Sequence, residues 1–144
     1  LRSDTAALHT LVAAMIEVVP DIHCLRDPTR GGLGTTLNEL ARQSGCGMVI
    51  HETALPVRSE VSAACEFLGL DPLYAANEGK LVAICAGEDA GRLLAAMRAH
   101  PLGAHAAIIG EVVEDDHRFV QMKTAFGGSR IVDWLTGEQL PRIC

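Results

Sequence analysis

The sequence predicts an α+β fold (α/β layers), in which helices pack on a mixed β-sheet. Segments with helical and with strand-like apolar patterns both occur along the chain, and they mix without strict alternation. Apolar residues make up 49% of the 144 positions and charged residues 21%, which is typical of one globular domain with its own core.

Four segments have the apolar spacing of amphipathic helices. Gly45 and Gly69 follow the second and third of them, as is common at helix C-termini. The first helix is predicted to begin after a cap at Ser3 or Asp4 and to end before Pro20, and the others are residues 33–44, 59–68 and 88–99. The apolar face of the first helix is expected to contain Leu8, Leu11, Val12, Met15, Ile16 and Val19. The third is expected to bury a face formed by Val61, Ala64, Cys65 and Leu68.

Short apolar runs between the helices predict strands. Residues 81–86 are apolar on both faces, which favours a central strand. The acidic turn 114–116 joins two further strands, and a Gly127-Gly128 turn precedes the stretch 131–134. The predicted strands are residues 22–25, 48–52, 81–86, 106–113 and 119–122.

Composition excludes several classes of function. Twelve basic and eighteen acidic residues give a net charge of −6, which disfavours binding to a nucleic-acid backbone. Five aromatic residues are too few for a base-stacking platform. No apolar run approaches the roughly 20 residues of a membrane span, and no signal peptide is recognisable. We therefore expect a cytoplasmic protein that binds neither nucleic acid nor membrane.

The cysteines Cys24, Cys46, Cys65, Cys85 and Cys144 are odd in number, widely spaced and without a CxxC pair. None of the six histidines has a partner at ligand spacing. We therefore predict no metal ligands in this chain, and we expect the first four cysteines to be buried and inert.

The loop formed by residues 27–32 is the densest polar cluster, and it lies between a predicted strand and a predicted helix. Gly31 and Gly32 allow the backbone to approach a ligand closely, and the helix start supplies N–H donors. Arg30 can bind phosphate in a bidentate manner, and Thr29 adds a hydroxyl.

Asp27 allows two interpretations of the same loop. Its carboxylate could hold a metal ion or orient Arg30 at a phosphate. The alternative is that Asp27 caps the helix, with Pro28 at its first position.

Two other positions have catalytic potential. The turn Asn77-Glu78-Gly79-Lys80 precedes a predicted strand, and a loop carboxylate there can act as a base; the alternative is a solvated polar turn. Cys144 ends the aperiodic stretch 136–144, and an exposed terminal thiol is a good nucleophile once ionised. The alternative is that the chain merely happens to end on cysteine.

These residues together resemble the HypE family of hydrogenase maturation proteins. The resemblance covers essentially the whole chain, and the terminal Pro-Arg-Ile-Cys is its most specific part. The matching motifs are residues 27–33, 37–40, 71–74, 76–80, 109–110 and 141–144.

The resemblance implies the C-terminal domain shared with aminoimidazole ribonucleotide synthetase and selenophosphate synthetase. It implies that residues 1–135 form this domain and that residues 136–144 form a flexible tail carrying the cysteine. The family's N-terminal half, which supplies most of the ATP site and much of the homodimer contact, is absent from this sequence. The chain alone is therefore expected to be catalytically incomplete.

The reaction implied by the resemblance is the ATP-dependent dehydration of an S-carboxamide to a thiocyanate. The carbamoyltransferase HypF loads the terminal thiol, and the cyanide passes to iron held by a HypC–HypD complex for a [NiFe]-hydrogenase. ATP and Mg²⁺ would be bound mainly by the absent half.

The resemblance also implies roles for individual residues. Cys144 would be the carrier and Glu78 the base. The nucleotide-binding and phosphate-binding residues would be Asp27, Thr29, Arg30, Gly31, Gly32, Asn77 and Lys80. Partner recognition would fall to Pro141, Arg142 and Ile143. The alternatives are another ATP-dependent member of the superfamily, such as a selenophosphate or aminoimidazole ribonucleotide synthetase, or a non-catalytic adaptor.

Overall fold

A computed structural model describes residues 5–135, which form two compact units. Within this range the first unit contains the residues up to Pro28 and Asn77–Ile108. The second contains Thr29–Ala76 and the residues from Ile109 onwards. Each unit is therefore assembled from two separate stretches of sequence.

Helices and strands both contribute to the fold, which is α+β as predicted. No helix among residues 5–135 is long and apolar enough to cross a membrane. In chain order the elements are α1 (His9–Val18), β1 (Cys24–Arg26), α2 (Gly32–Ser44), β2 (Gly47–His51), α3 (Ser59–Leu68), β3 (Val82–Ile84), α4 (Ala90–Ala99), β4 (Gly110–Val113), β5 (Val120–Lys123) and β6 (Ser129–Ile131).

The first unit is built on the packing of α1 against α4. Leu11 and Met15 of α1 are buried together with Val19 and with Leu93 of α4, as the helical spacing predicted. Ile16, which was expected on the same face, is 46% exposed, and the helix begins at His9, later than the predicted start. Strands β1 and β3 pair antiparallel, and partly buried residues from both strands pack against this cluster.

Strand β3 differs from the central strand that residues 81–86 predicted. Among the described residues it pairs with β1 alone, and its three residues are half-buried. The prediction was wrong because an apolar run shows that a segment can be buried, but the number of neighbouring strands depends on segments far away in sequence.

The second unit contains a four-stranded mixed sheet in the order β4–β2–β5–β6. Strand β2 is antiparallel to β4 and parallel to β5, and β5 is antiparallel to β6. The acidic turn does join β4 and β5 in sequence, but β2 separates them in the sheet. The alternating burial of β5, with Val120 and Met122 inside, leaves one face of the sheet for α2 to cover.

Helix α3 has the predicted bounds but does not bury the predicted face. Cys65 is its one buried residue, whereas Val61 and Leu68 are 43% and 64% exposed and Ala64 is also exposed. The periodicity identified the helix correctly, but no described element covers most of this apolar face.

Candidate functional site

The N-terminus of α2 is capped by glycine and not by Asp27. Gly31 occupies the N-cap position in the left-handed conformation, with φ of 69°, and makes no side-chain cap hydrogen bond. The alternative interpretation of Asp27 as the helix cap is therefore wrong. No acidic residue lies in the first turn of α2, where the backbone N–H groups and the positive end of the helix dipole favour an anion.

Gly32 is required by the close approach of a neighbouring segment. It also has a left-handed backbone, with φ of 61°, and a Cβ placed on it would lie 2.5 Å from the carbonyl oxygen of Leu73 and 2.7 Å from that of Ala75. One turn further along, a Cβ on Gly34 would lie 2.7 Å from Cε1 of Tyr74. Gly32 and Gly34 thus allow the short 3₁₀ turn Pro72–Tyr74 to pack closely against the start of α2.

The two predicted loops lie where the chain passes from one unit to the other. The passages fall between Pro28 and Thr29 and immediately before Asn77. Within the first unit, the Asn77 amide donates a hydrogen bond to the Pro28 carbonyl oxygen over 3.1 Å. The structure therefore brings the start of the first predicted loop into contact with the start of the second.

The charged side chains of these loops are accessible. Asp27, Glu78 and Lys80 are exposed in the first unit, where Asn77 is half-buried. In the second unit Arg30 is exposed, and Thr29 lies beside it at intermediate burial. Accessible charges on loops rich in glycine can meet a phosphate or an amide substrate without disturbing a core.

The described cysteines are all free thiols. Cys65 is buried as predicted, while Cys24, Cys46 and Cys85 are half-buried. Burial, with a smaller contribution from the Asp89 carboxylate, raises the pKa of the Cys85 thiol. A raised pKa keeps this thiol protonated and unreactive near neutral pH.

Residues 5–135 contain no group of three or more His, Cys, Asp or Glu side chains that could hold a metal ion. No step below is assigned to Mg²⁺. The predicted site residues Pro141, Arg142, Ile143 and Cys144, and the tail 136–144, lie outside the described residues.

Sequence reasoning missed the polar contacts that surround the Pro72–Tyr74 turn. Asp71 accepts a hydrogen bond from the Leu73 amide over 2.9 Å, and it forms an ion pair with Arg130 over 2.6 Å. The Tyr74 hydroxyl donates to the carbonyl oxygen of Asp133 over 2.7 Å. Because the two partners of each contact lie 59 residues apart, no local sequence pattern indicates these contacts. The family motif at residues 71–74 contains one partner of each pair.

An open cleft of about 480 Å³ lies in the second unit beside these residues. Leu55, Val57 and Met122 contribute apolar lining, and Asp71 and Arg130 contribute charge. None of the predicted site residues lines this cleft. It is therefore separate from the loops that carry the proposed chemistry.

Residues 1–123 match the family model described as AIR synthase related protein, C-terminal domain, and the chain belongs to this family. It is 75% identical, over all 144 residues, to the carbamoyl dehydratase HypE of Azotobacter vinelandii, of which it spans 42%. The HypE of Escherichia coli K12 is 45% identical over the same length, and again 42% of it is covered.

Solved structures agree with this assignment. A crystal structure of the hydrogenase maturation protein HypE matches with a TM-score of 0.93 at 53% identity, covering 99% of this chain and 46% of that one. A HypE structure in complex with ATP has a TM-score of 0.91 at 52% identity, with 99% and 44% covered. The structure of a HypE–HypF complex has a TM-score of 0.89 at 42% identity, with 94% and 44% covered.

Proposed function

We propose that this chain is the C-terminal part of an ATP-dependent carbamoyl dehydratase that makes cyanide for [NiFe]-hydrogenase maturation. The observation that carries the proposal is the 75% identity, along the whole chain, to a protein named carbamoyl dehydratase. Because the chain spans 42% of that relative, the activity would belong to a longer protein to which this chain contributes one part of the site.

The proposed reaction starts at the thiol of Cys144. A HypF-type carbamoyltransferase transfers a carbamoyl group to the sulfur of Cys144. The thiol loses its proton, the bond between the carbamoyl carbon and its activated donor breaks, and the new S–C bond gives an S-carboxamide. The amide oxygen then attacks the terminal phosphoryl group of ATP, ADP leaves, and the amide nitrogen loses one proton. Loss of the second N–H proton expels the oxygen as phosphate and forms the C≡N bond of a thiocyanate.

The two predicted loops supply groups suited to the phosphoryl transfer. In this proposal Arg30 and Lys80 neutralise charge on the phosphate oxygens, while Thr29 and Asn77 donate hydrogen bonds. The glycine at the N-cap supports this role, because Gly31 has no side chain that could accept hydrogen bonds from the N–H groups at the start of α2. Asp27 does not cap the helix and belongs to the same set of proposed phosphate-binding residues.

Glu78 is the proposed base for removal of the N–H proton. Its carboxylate is exposed on a turn beside Gly79, so a mobile substrate can reach it. The Asn77–Pro28 hydrogen bond supports this assignment, because it fixes the start of the turn on the first unit. The ATP-bound structure of a HypE supports ATP as the cosubstrate.

The partners and organisation form the remainder of the proposal. The HypE–HypF structure supports HypF as the loading enzyme. A HypC–HypD complex would accept the cyanide, the full-length protein would be a cytoplasmic homodimer, and residues 136–144 would act as a mobile tail after a domain of residues 1–135. Pro141, Arg142 and Ile143 would present the thiol to each partner.

Mass spectrometry of the full-length protein tests the proposal. After incubation with the carbamoyltransferase, carbamoyl phosphate and ATP, the C-terminal peptide should gain a carbamoyl group and then lose one water. Protein isolated with the carbamoyl adduct should lose the water only when ATP is added. An unmodified tail within a stable complex would instead indicate an adaptor.

A further inference from the structure

The chain that leads out of β6 is attached to the second unit through two consecutive carbonyl groups. The side-chain amide of Asn38 donates to the carbonyl oxygen of Val132 over 2.8 Å, and the Tyr74 hydroxyl donates to that of Asp133 over 2.7 Å. The Val132 amide donates to the Val120 carbonyl over 2.8 Å. Residues 132 and 133 are therefore held in place beyond the last residue of the strand.

Both donors are themselves fixed by α2. Asn38 is 8% exposed, and it also donates to the Gly34 carbonyl oxygen over 2.9 Å. The ring of Tyr74 lies so close to Gly34 that no Cβ would fit between them. Donors whose orientation is fixed by packing hold their acceptor at a defined position.

The turn that carries Tyr74 is tied to β6 as well. Arg130 of β6 pairs with Asp71, which also accepts a hydrogen bond from the amide of Leu73. Burial, with a further contribution from the Asp71 carboxylate, raises the pKa of the Tyr74 hydroxyl above its ordinary value of 10.0. The phenol therefore keeps its proton and remains a donor throughout the physiological range.

The Tyr74 contact is not needed to satisfy the backbone. Asp133 is exposed, so water could solvate its carbonyl group equally well. The Tyr74 side chain is fixed against α2. Its hydrogen bond to this carbonyl group therefore restricts the position from which the following residues begin.

We propose that Tyr74 and Asn38 are positioning residues that fix the point from which the C-terminal segment departs toward Cys144. The inference rests on the proposed function, in which Cys144 carries the substrate. Eleven residues lead from Asp133 to Cys144, and fully extended they span at most about 40 Å. In the proposed function residues 136–144 act as a mobile tail, so the reach of the thiol is measured from the anchor at residues 132–133.

Tether length alone has a small effect. Release of both anchored residues would lengthen the tether from eleven to thirteen residues and lower the local concentration of the thiol by about a fifth. A several-fold loss of the dehydration rate would therefore be larger than the added length explains. It would show that the starting point and direction of the C-terminal segment matter.

Tyr74→Phe in the full-length protein is the direct test, because it removes only the hydroxyl. Hydrogen–deuterium exchange at residues 132–135 should rise. Single-turnover dehydration of protein already carbamoylated at Cys144 should slow by roughly three- to tenfold, in line with loss of one hydrogen bond. Carbamoyl loading, which is intermolecular, and the melting temperature should stay as in wild type.

Arg98→Met is the matched control, since it removes a side-chain bond to the Ala106 carbonyl oxygen, at 2.9 Å, in the first unit. It should change neither exchange at residues 132–135 nor dehydration. Asn38→Ala should reproduce the Tyr74→Phe result where it folds, and Tyr74→Phe decides alone where it does not.

The two readouts separate the possible failures. Wild-type exchange in Tyr74→Phe would overturn the anchor, and raised exchange with an unchanged dehydration rate would overturn its positioning role. If wild-type protein forms no thiocyanate at all, the proposed function fails, and the exchange measurement still decides whether Tyr74 anchors the chain.

Discussion

The backbone amide of Asn77 donates a hydrogen bond to the carbonyl oxygen of Pro28, although the two residues lie 49 positions apart in sequence. The chain leaves the first unit after Pro28 and returns to it at Asn77. The bond therefore joins the points of exit and return within the first unit, and the residues proposed to act on phosphate and on the amide proton lie next to these points in sequence.

Residues 1–144 alone should hydrolyse ATP negligibly. Arg30 and Lys80 would contribute one part of the nucleotide site, and the described residues lack a metal-binding cluster. Steady-state phosphate release by this chain, compared with the full-length protein under the same conditions, is the measurement. Comparable turnover by the two would contradict the proposed division of the ATP site.

Glu78→Gln in the full-length protein should block dehydration without disturbing the fold. Substitutions at exposed positions usually change the free energy of unfolding by no more than about 0.5 kcal/mol, so the melting temperature should shift by less than about 2 °C. Mass spectrometry should find accumulated S-carboxamide and little thiocyanate. Glu88→Gln, at another exposed position of the same unit, is the matched control and should behave as wild type.

Cys144→Ala should abolish carbamoyl loading and leave folding intact. The terminal thiol is the proposed acceptor, whereas Cys65 is buried and the pKa of Cys85 is raised, so neither can replace it. The intact mass after incubation with the carbamoyltransferase checks this. The half-buried Cys46 offers a control, because Cys46→Ser should load normally. A carbamoyl adduct on Cys144→Ala protein would show that the carrier lies elsewhere.

Gly32→Ala should destabilise the protein by about 2–4 kcal/mol. The substitution puts a side chain on a left-handed backbone and within 2.5 Å of the Leu73 carbonyl oxygen. Gly91→Ala is the counterpart, since open space surrounds Gly91 in α4, and it should stabilise by about 0.4–1 kcal/mol. Chemical denaturation of both variants gives the two changes in the free energy of unfolding. Equal changes would contradict the close packing at Gly32.

Asp115 should make folding stability sensitive to acid. Hydrogen bonds from the backbone amides of Phe119 and His117 lower the pKa of this carboxyl below its ordinary value of 3.8. A lowered folded-state pKa gives stabilisation that is complete above the ordinary pKa and is lost as pH falls through the folded one.

The thermal unfolding of wild type and Asp115→Ala between pH 7 and pH 2 tests this linkage. The two melting temperatures should differ at pH 7 and converge below pH 4. A difference that stays constant over the whole range would show that ionised Asp115 does not stabilise the turn.

Local patterns identified the elements of this fold well, and they failed where an outcome depended on distant partners. The bounds of α3 follow from its periodicity and from Gly69, but its apolar face is exposed because no described element covers it. Likewise, no feature of residues 110–123 indicates that β2 lies between β4 and β5.

The candidate site shows the same contrast between local features and contacts with distant partners. Glycines next to a strand end and a carboxylate in a turn are local features, and they identified both loops. The bonds from Asn38 to Val132 and from Tyr74 to Asp133 span 94 and 59 residues. Only the folded chain brings such pairs together, so reasoning from the sequence had no means of finding them.

The position of β2 between β4 and β5 has a consequence for how this protein is made. Met48 is paired with Val112 on one side and with Val120 on the other, which lie 64 and 72 residues later in the chain. Strand β2 therefore leaves the ribosome long before either neighbour exists, with both hydrogen-bonding edges open. Closing such long loops is slow, and unpaired apolar strands invite aggregation. Synthesis of this region should thus depend on a chaperone, or on slow translation through residue 123, more than its modest size suggests.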